Sequence, residues 1–186
     1  MTDQKITLPL QTAKTAHAGA AEILKMAESQ LGFVPNLYAN MANMPAILEC
    51  YSTGYEKFRA SAGFTPSEQE TVFLSISYVN GCHYCLAAHS MVADKMQGMD
   101  AATIAALRIG DTLLDAKLDA LAVFTREMVS RKGRPSSEHI TAFFDAGYDN
   151  TAVLGIILGI SVKVLSNYVN IISQTPLDPA FADYAV

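Results

Sequence analysis

Apolar positions along the chain recur at three- and four-residue spacing, and no strand-turn-strand alternation interrupts them. Thr15 to Leu31 is alanine-rich, with Ile23, Leu24 and Ala27 at helical spacing, and it stops at Gly32. Phe33-Val34-Pro35-Asn36 reads as a turn. A second helical segment runs to about Ser61, interrupted near Pro45, and Gly63 ends it. Thr65-Pro66-Ser67-Glu68 is a strong helix start: Thr65 is the N-cap, Pro66 takes the first position and Glu68 lies three residues on. That helix carries Glu70, Val72, Phe73, Ile76 and Val79 and breaks at Asn80-Gly81. The next is expected to begin at Cys82 and run to about Gln97. Shorter helices are predicted over Ala101 to Ile109, Ala116 to Arg131 and Ser137 to Ala146, and a last one from near Asn150 to near Ser173. The expected fold class is therefore all-α. The domain reading is an N-terminal helical extension, 1–62, packed on a helical core, 63–186, as one compact unit.

The last predicted helix holds the most apolar stretch, Ala152 to Ile160. With its flanks it is long enough to span a bilayer, but Lys163, Ser166, Asn167 and Asn170 interrupt its second half. A buried core or interface helix is the expected role, with no membrane partner. Met1 to Leu10 carries Asp3 and Lys5 and has no apolar core of a signal peptide. A cytoplasmic, reducing setting is the corresponding expectation.

Composition narrows the class further. With 51% hydrophobic and 17% charged residues, the 186-residue chain can build a substantial core and does not read as disordered. The net charge of −5, with no basic stripe, argues against a nucleic-acid partner. Three cysteines do not make a secreted disulfide scaffold, and in a reducing compartment paired cysteines point to chemistry or metal.

The candidate chemistry lies between Glu70 and His89. Cys82 and Cys85 are three apart and Cys85 and His89 four apart, so each pair shares a helix face. A histidine so placed can take the proton of the Cys85 thiol. If the Asn80-Gly81 break folds two helices together, Glu70 reaches His89 and orients it. A helix N-terminus lowers thiol pKa. Position alone makes Cys82 the more acidic sulfur, whereas proximity to His89 makes it Cys85, and spacing does not choose between them. Zinc or iron bound by Cys82, Cys85 and His89, with His83 or Glu70 as fourth ligand, is the competing reading; no second Cys/His cluster accompanies it. A redox-sensing oligomer without turnover is a third.

Glu-x(11)-Cys-x-x-Cys-x(3)-His on consecutive helices resembles the AhpD-like alkylhydroperoxidase branch of the carboxymuconolactone decarboxylase family. Leu31-Gly-Phe-Val-Pro-Asn-Leu, Asn167-Tyr-Val-Asn and Thr175-Pro-Leu-Asp resemble its peroxidase-related members, so the likeness spans most of the chain. The resemblance implies an AhpD-like helical bundle with Cys-x-x-Cys at a helix N-terminus, assembled as a trimer or hexamer. It implies peroxide reduction with no bound cofactor and no metal. Cys85 would be the peroxidatic cysteine, Cys82 the resolving one, and His89 with Glu70 the proton relay; an external thiol reductant would reopen the disulfide. Members of the family carry a histidine just before the second cysteine, and here Tyr84 stands there. Tyr84 and His83 are the auxiliary candidates, Tyr84 as a hydrogen-bond donor and His83 directed elsewhere.

Other chemistry-bearing residues read as structural. Cys50 is expected in the core, and His17 and His139 at the surface or capping. Met41, Met44, Met91, Met96 and Met99 read as core filling or subunit contacts. Phe73, Ile76 and Tyr78 are expected to line the core behind the cysteines.

Overall fold

A computed structural model describes residues 5–186. Residues 1–4, the start of both the expected extension and the Met1 to Leu10 segment, lie outside the described residues. Nine α-helices appear in it: α1 (Ala18–Leu31), α2 (Asn36–Met41), α3 (Pro45–Ser61), α4 (Pro66–Val79), α5 (His83–Met91), α6 (Ala101–Ile109), α7 (Ala116–Ser130), α8 (Ser137–Asp145) and α9 (Asn150–Ser173). There is no strand among the described residues, and the fold is all-α.

Helix α4 is the hub. Every residue from Glu68 to Ser77 is buried, which an amphipathic surface helix cannot achieve. It packs against α5, α6, α7 and α9. Its start is the expected capping box: Thr65 Oγ1 accepts from the Glu68 amide, and the Glu68 carboxylate accepts from the Thr65 amide. Phe58, Phe64, Phe73, Phe124, Phe143 and Ile156 form the core on one side of α4. Leu74, Leu86, Ile104 and Leu107 form another. Helix α9 fits closely because it is slim where it crosses α3 and α4. A Cβ on Gly159 would lie 2.9 Å from Phe58 Cε2 and 3.0 Å from Val72 Cγ1.

Helix α9 is long and apolar enough to cross a membrane, yet Lys163, Ser166, Asn167 and Asn170 are all buried inside the fold. Its opposite face exposes Leu154, Ile157, Tyr168, Ile171 and Ile172.

Several expectations need correction. Helix α1 begins at Ala18, because Thr12 and Thr15 bond each other in a turn before it. The Cys82 helix begins at His83, with Cys82 as an extended N-cap. It does not continue as α-helix to Gln97; a π-helical turn, Val92–Met96, closes it. Cys50 is exposed, not in the core. It lies two residues, about 200° of helix, from the inward-facing Leu48. Tyr78 is 39% exposed and packs on Gly110, not behind the cysteines; the close approach needs a glycine, whose φ is +72°. A C-terminal 3-10 helix, Pro179–Tyr184, was not anticipated.

Candidate active site

The two cysteines sit where α4 turns into α5. Gly81 adopts a left-handed conformation, φ +66°, that a side chain would strain. Asn80 Nδ2 pins the turn to Asn167 Oδ1 of α9 at 2.8 Å. The Cys82 amide donates to Ser77 O at 2.9 Å, and Cys82 O accepts from Leu86. These bonds place Cys82 at the N-cap and Cys85 in the first turn of α5, both buried and unbridged.

The same fold-back brings α4 under α5. His89 and Glu70, nineteen residues apart, meet at 2.8 Å between Nδ1 and Oε2. An Nδ1–H donated to the carboxylate leaves Nε2 as an acceptor. Glu70 is fully buried, and its other oxygen pairs with Arg59 Nη2 of α3 at 2.5 Å. Arg59 also donates to the Tyr55 hydroxyl at 2.7 Å and to Gln69 Oε1 at 3.0 Å. Its guanidinium lies over the Tyr55 and Phe73 rings. Phe73 backs His89 with ring centres 4.9 Å apart, and Ile76 is buried in the same core.

Charge in this cluster is divided unequally. Burial raises the Glu70 carboxyl, but His89 and Arg59 outweigh it and hold it below the usual value. Burial, together with the Lys163 ammonium, holds His89 below its usual value against the pull of Glu70, so the imidazole is neutral near pH 7. Contact with Cys85, then burial, pushes the Cys82 thiol far up. Burial also raises Cys85, but the Cys82 thiol, Lys163, His89 and the Asn170 amide together hold it well below the usual thiol value. The hydrogen bond that Cys85 Sγ receives comes from Asn170 Nδ2 at 3.3 Å. Between the two sulfurs that spacing left open, the environment favours the thiolate on Cys85.

The auxiliary candidates fall outside this network. His83 is exposed. The Tyr84 hydroxyl donates to Asp178 and accepts from the Leu37 amide at 3.3 Å. Asp178 also caps the Asn36 amide at 3.1 Å. Phe181 packs edge-on to Tyr84 and Phe33, so the C-terminal segment is strapped across α2 and α5. His17 is the exposed N-cap position of α1, and His139 bonds Ser136 at 2.7 Å on α8.

Cys85 and His89 open on a cavity of about 850 Å³. Its walls include Phe33, Tyr38, Tyr51, Tyr55, Met91 and Met96. Its cationic positions are the half-buried Arg59 and the fully buried Lys163. Among the described residues no cluster of three or more His, Cys, Asp or Glu is arranged to hold a metal. The motifs give no site role to Arg59, Lys163, Asn170 or Asp178, although Asn170 and Asp178 close the Asn167-Tyr-Val-Asn and Thr175-Pro-Leu-Asp segments. Lys163 left a trace, as the lone charge in the last predicted helix, Asn150 to Ser173.

The all-α bundle has the AhpD-like fold, and it holds a buried dithiol at a helix start beside a His-Glu-Arg chain. Residues 38–126, a little under half of the chain, match the carboxymuconolactone decarboxylase family, and this matched segment holds the whole Glu70 to His89 motif. The fold is similar to the alkylhydroperoxidase AhpD core of an uncharacterized peroxidase-related protein from Ralstonia eutropha JMP134. That likeness has a TM-score of 0.83 at 16% identity and covers 93% of this chain and 92% of that one. A peroxidase-related protein from Silicibacter sp. TM1040 matches at TM-score 0.79 and 18% identity, over 97% and 95% of the two chains. The apo debrominase Bmp8 matches at TM-score 0.79 and 18% identity, over 96% and 95%. A variant of Bmp8 has been solved with 2,3,4-tribromopyrrole. Among curated proteins no match is found.

Proposed function

We propose that this protein is a thiol-dependent peroxidase that reduces hydrogen peroxide or organic hydroperoxides through Cys82 and Cys85. The observation that carries the reading is a Cys85 thiolate environment at the floor of a cavity, beside a neutral histidine held by a buried carboxylate. Cys85 reacts as the thiolate, its proton passed through His89 to solvent, and His89 stays neutral beside Glu70. The thiolate attacks one peroxide oxygen; an S–O bond forms as the O–O bond breaks. The departing oxygen takes a proton from solvent, passed through His89. Cys82 then attacks the sulfenic sulfur, losing its proton as hydroxide leaves as water, and the disulfide closes. An external thiol reductant returns both electrons, and no bound cofactor takes part. The exposed apolar face of α9 supports assembly as a homo-oligomer, trimer or hexamer, and the reading includes a cytoplasmic setting.

Single-cysteine variants test the cycle. Cys85→Ser should abolish peroxide turnover, and Cys82→Ser should stop at a trappable sulfenic acid on Cys85. Multi-turnover activity retained in both would overturn the mechanism.

The cavity favours a second reading of the same dithiol. About 850 Å³ is far more than hydrogen peroxide needs, and its walls are aromatic. A halogenated aromatic would also fit the walls, and the likeness to a debrominase supports that choice. Reductive dehalogenation would replace carbon–halogen with carbon–hydrogen, release halide and leave the same disulfide. Halide release from a bromopyrrole, with no consumption of cumene hydroperoxide, would favour it over the peroxidase.

A further inference from the structure

Lys163 stands out on α9. The residue is fully buried, and Nζ has no hydrogen-bond partner among the described residues. It lines the cavity and lies 5.4 Å over the Phe73 ring. An ammonium buried without an anion is costly, so a counter-charge is needed nearby.

The neighbouring carboxylates are occupied. Glu70 of α4 is shared by Arg59 and His89. Asp178 is engaged by Tyr84 and the Asn36 amide. Glu56 of α3 is exposed at the cavity rim. The cavity tyrosines, Tyr38 of α2, Tyr51 and Tyr55 of α3 and Tyr84 of α5, are all pushed up by burial and stay neutral. His89 is neutral as well, and the Cys82 thiol keeps its proton. The sulfur that remains is Cys85, which faces the same cavity and receives the Asn170 amide from two turns further along α9.

We propose that Lys163 is the counter-cation of the Cys85 thiolate, a positioning residue that α9 carries into the cavity to hold the negative charge on that sulfur. The role is independent of which electrophile the dithiol meets, so it stands or falls apart from the peroxidase reading. It also has a redox consequence. Closing the disulfide from one thiolate and one thiol releases two electrons and one proton, and it removes the anion that Lys163 faces. The lysine therefore favours the reduced pair and makes the disulfide easy for a thiol to reopen.

The test uses full-length protein with Cys50→Ser, which removes the exposed thiol. Iodoacetamide alkylation of the reduced protein is followed against pH. Replacing Lys163 with methionine should raise the thiol midpoint by about one unit, lowering the alkylation rate about tenfold at pH values below both midpoints. In a glutathione redox buffer at pH above both midpoints, the same one-unit loss of thiolate stabilisation is a tenfold change in the equilibrium constant and lowers the potential by about 30 mV. Because methionine buries no charge, thermal stability should hold or rise. Lys163→Gln, which keeps a polar tip in the cavity, should give the same shift, and Lys163→Arg should restore the parent midpoint. A parent midpoint retained in either neutral variant would overturn the proposal. So would loss of thermal stability with thiol reactivity intact, since that is the pattern of a merely structural lysine.

Discussion

Replacing Glu70 with glutamine removes one charge from the centre of the site while keeping the volume. The carboxylate is fully buried and serves two partners, Arg59 at 2.5 Å and His89 at 2.8 Å. Removing one member of a buried ion pair costs about 3–5 kcal/mol. Arg59 is 20% exposed along its side chain and keeps its bonds to Tyr55 and Gln69, which places the loss at the low end, about 3 kcal/mol. For a chain of this size each kcal/mol moves the unfolding midpoint by about 2–4 °C, so the variant should melt roughly 6–12 °C lower. Circular dichroism melts read this directly. Their pH dependence adds a second check. Glu70 is held below its usual value in the folded state, so its contribution is complete above pH ~4.3 and is lost as pH falls through the lower folded value. The gap between parent and variant should thus be constant near neutrality and close below about pH 4.3. Turnover should fall about 10²-fold or more as His89 loses its orienting partner. A midpoint within about 2 °C of the parent, or a gap that persists at the acid end, would refute the argument.

Two further substitutions probe how the site is held. Gly159→Ala would set a methyl 2.9 Å from Phe58 Cε2, and urea denaturation should show a loss of about 1–3 kcal/mol. Asp178→Asn weakens the acceptor that joins Tyr84 to the Asn36 amide; hydrogen exchange over 179–184 should accelerate, with a stability loss of about 1–3 kcal/mol.

Helices were legible because their signals are local. The Thr65 to Glu68 cap and the glycine stops depend on neighbours a few residues away, and α4, α6 and α9 fall where the pattern places them. The Glu70–His89 contact was legible because a short break between two helices leaves few ways to fold back. Cys50 and Tyr78 were misplaced for a different reason. Cys50 is rotated off the buried face of α3, and Tyr78 lies just past the stretch of α4 that is buried on every side. Arg59 and Lys163 reach the cavity only through the packing of α3 and α9, contacts between residues far apart in the chain. Lys163 read as an interruption of an apolar run because its partner, a thiolate, is invisible as a charge in the sequence. The π-helical turn and the C-terminal strap depend on tertiary contacts such as Tyr184 to Asp94.

Thiol counting before and after one equivalent of cumene hydroperoxide tests the central claim most directly. The reduced chain has three thiols, and Cys50 is the exposed one. The expected result is loss of two thiols, recovered with dithiothreitol, with Cys82 and Cys85 linked in the peptide map and Cys50 free. Three thiols surviving the peroxide, or oxidation confined to Cys50, would contradict a Cys82–Cys85 peroxidatic pair.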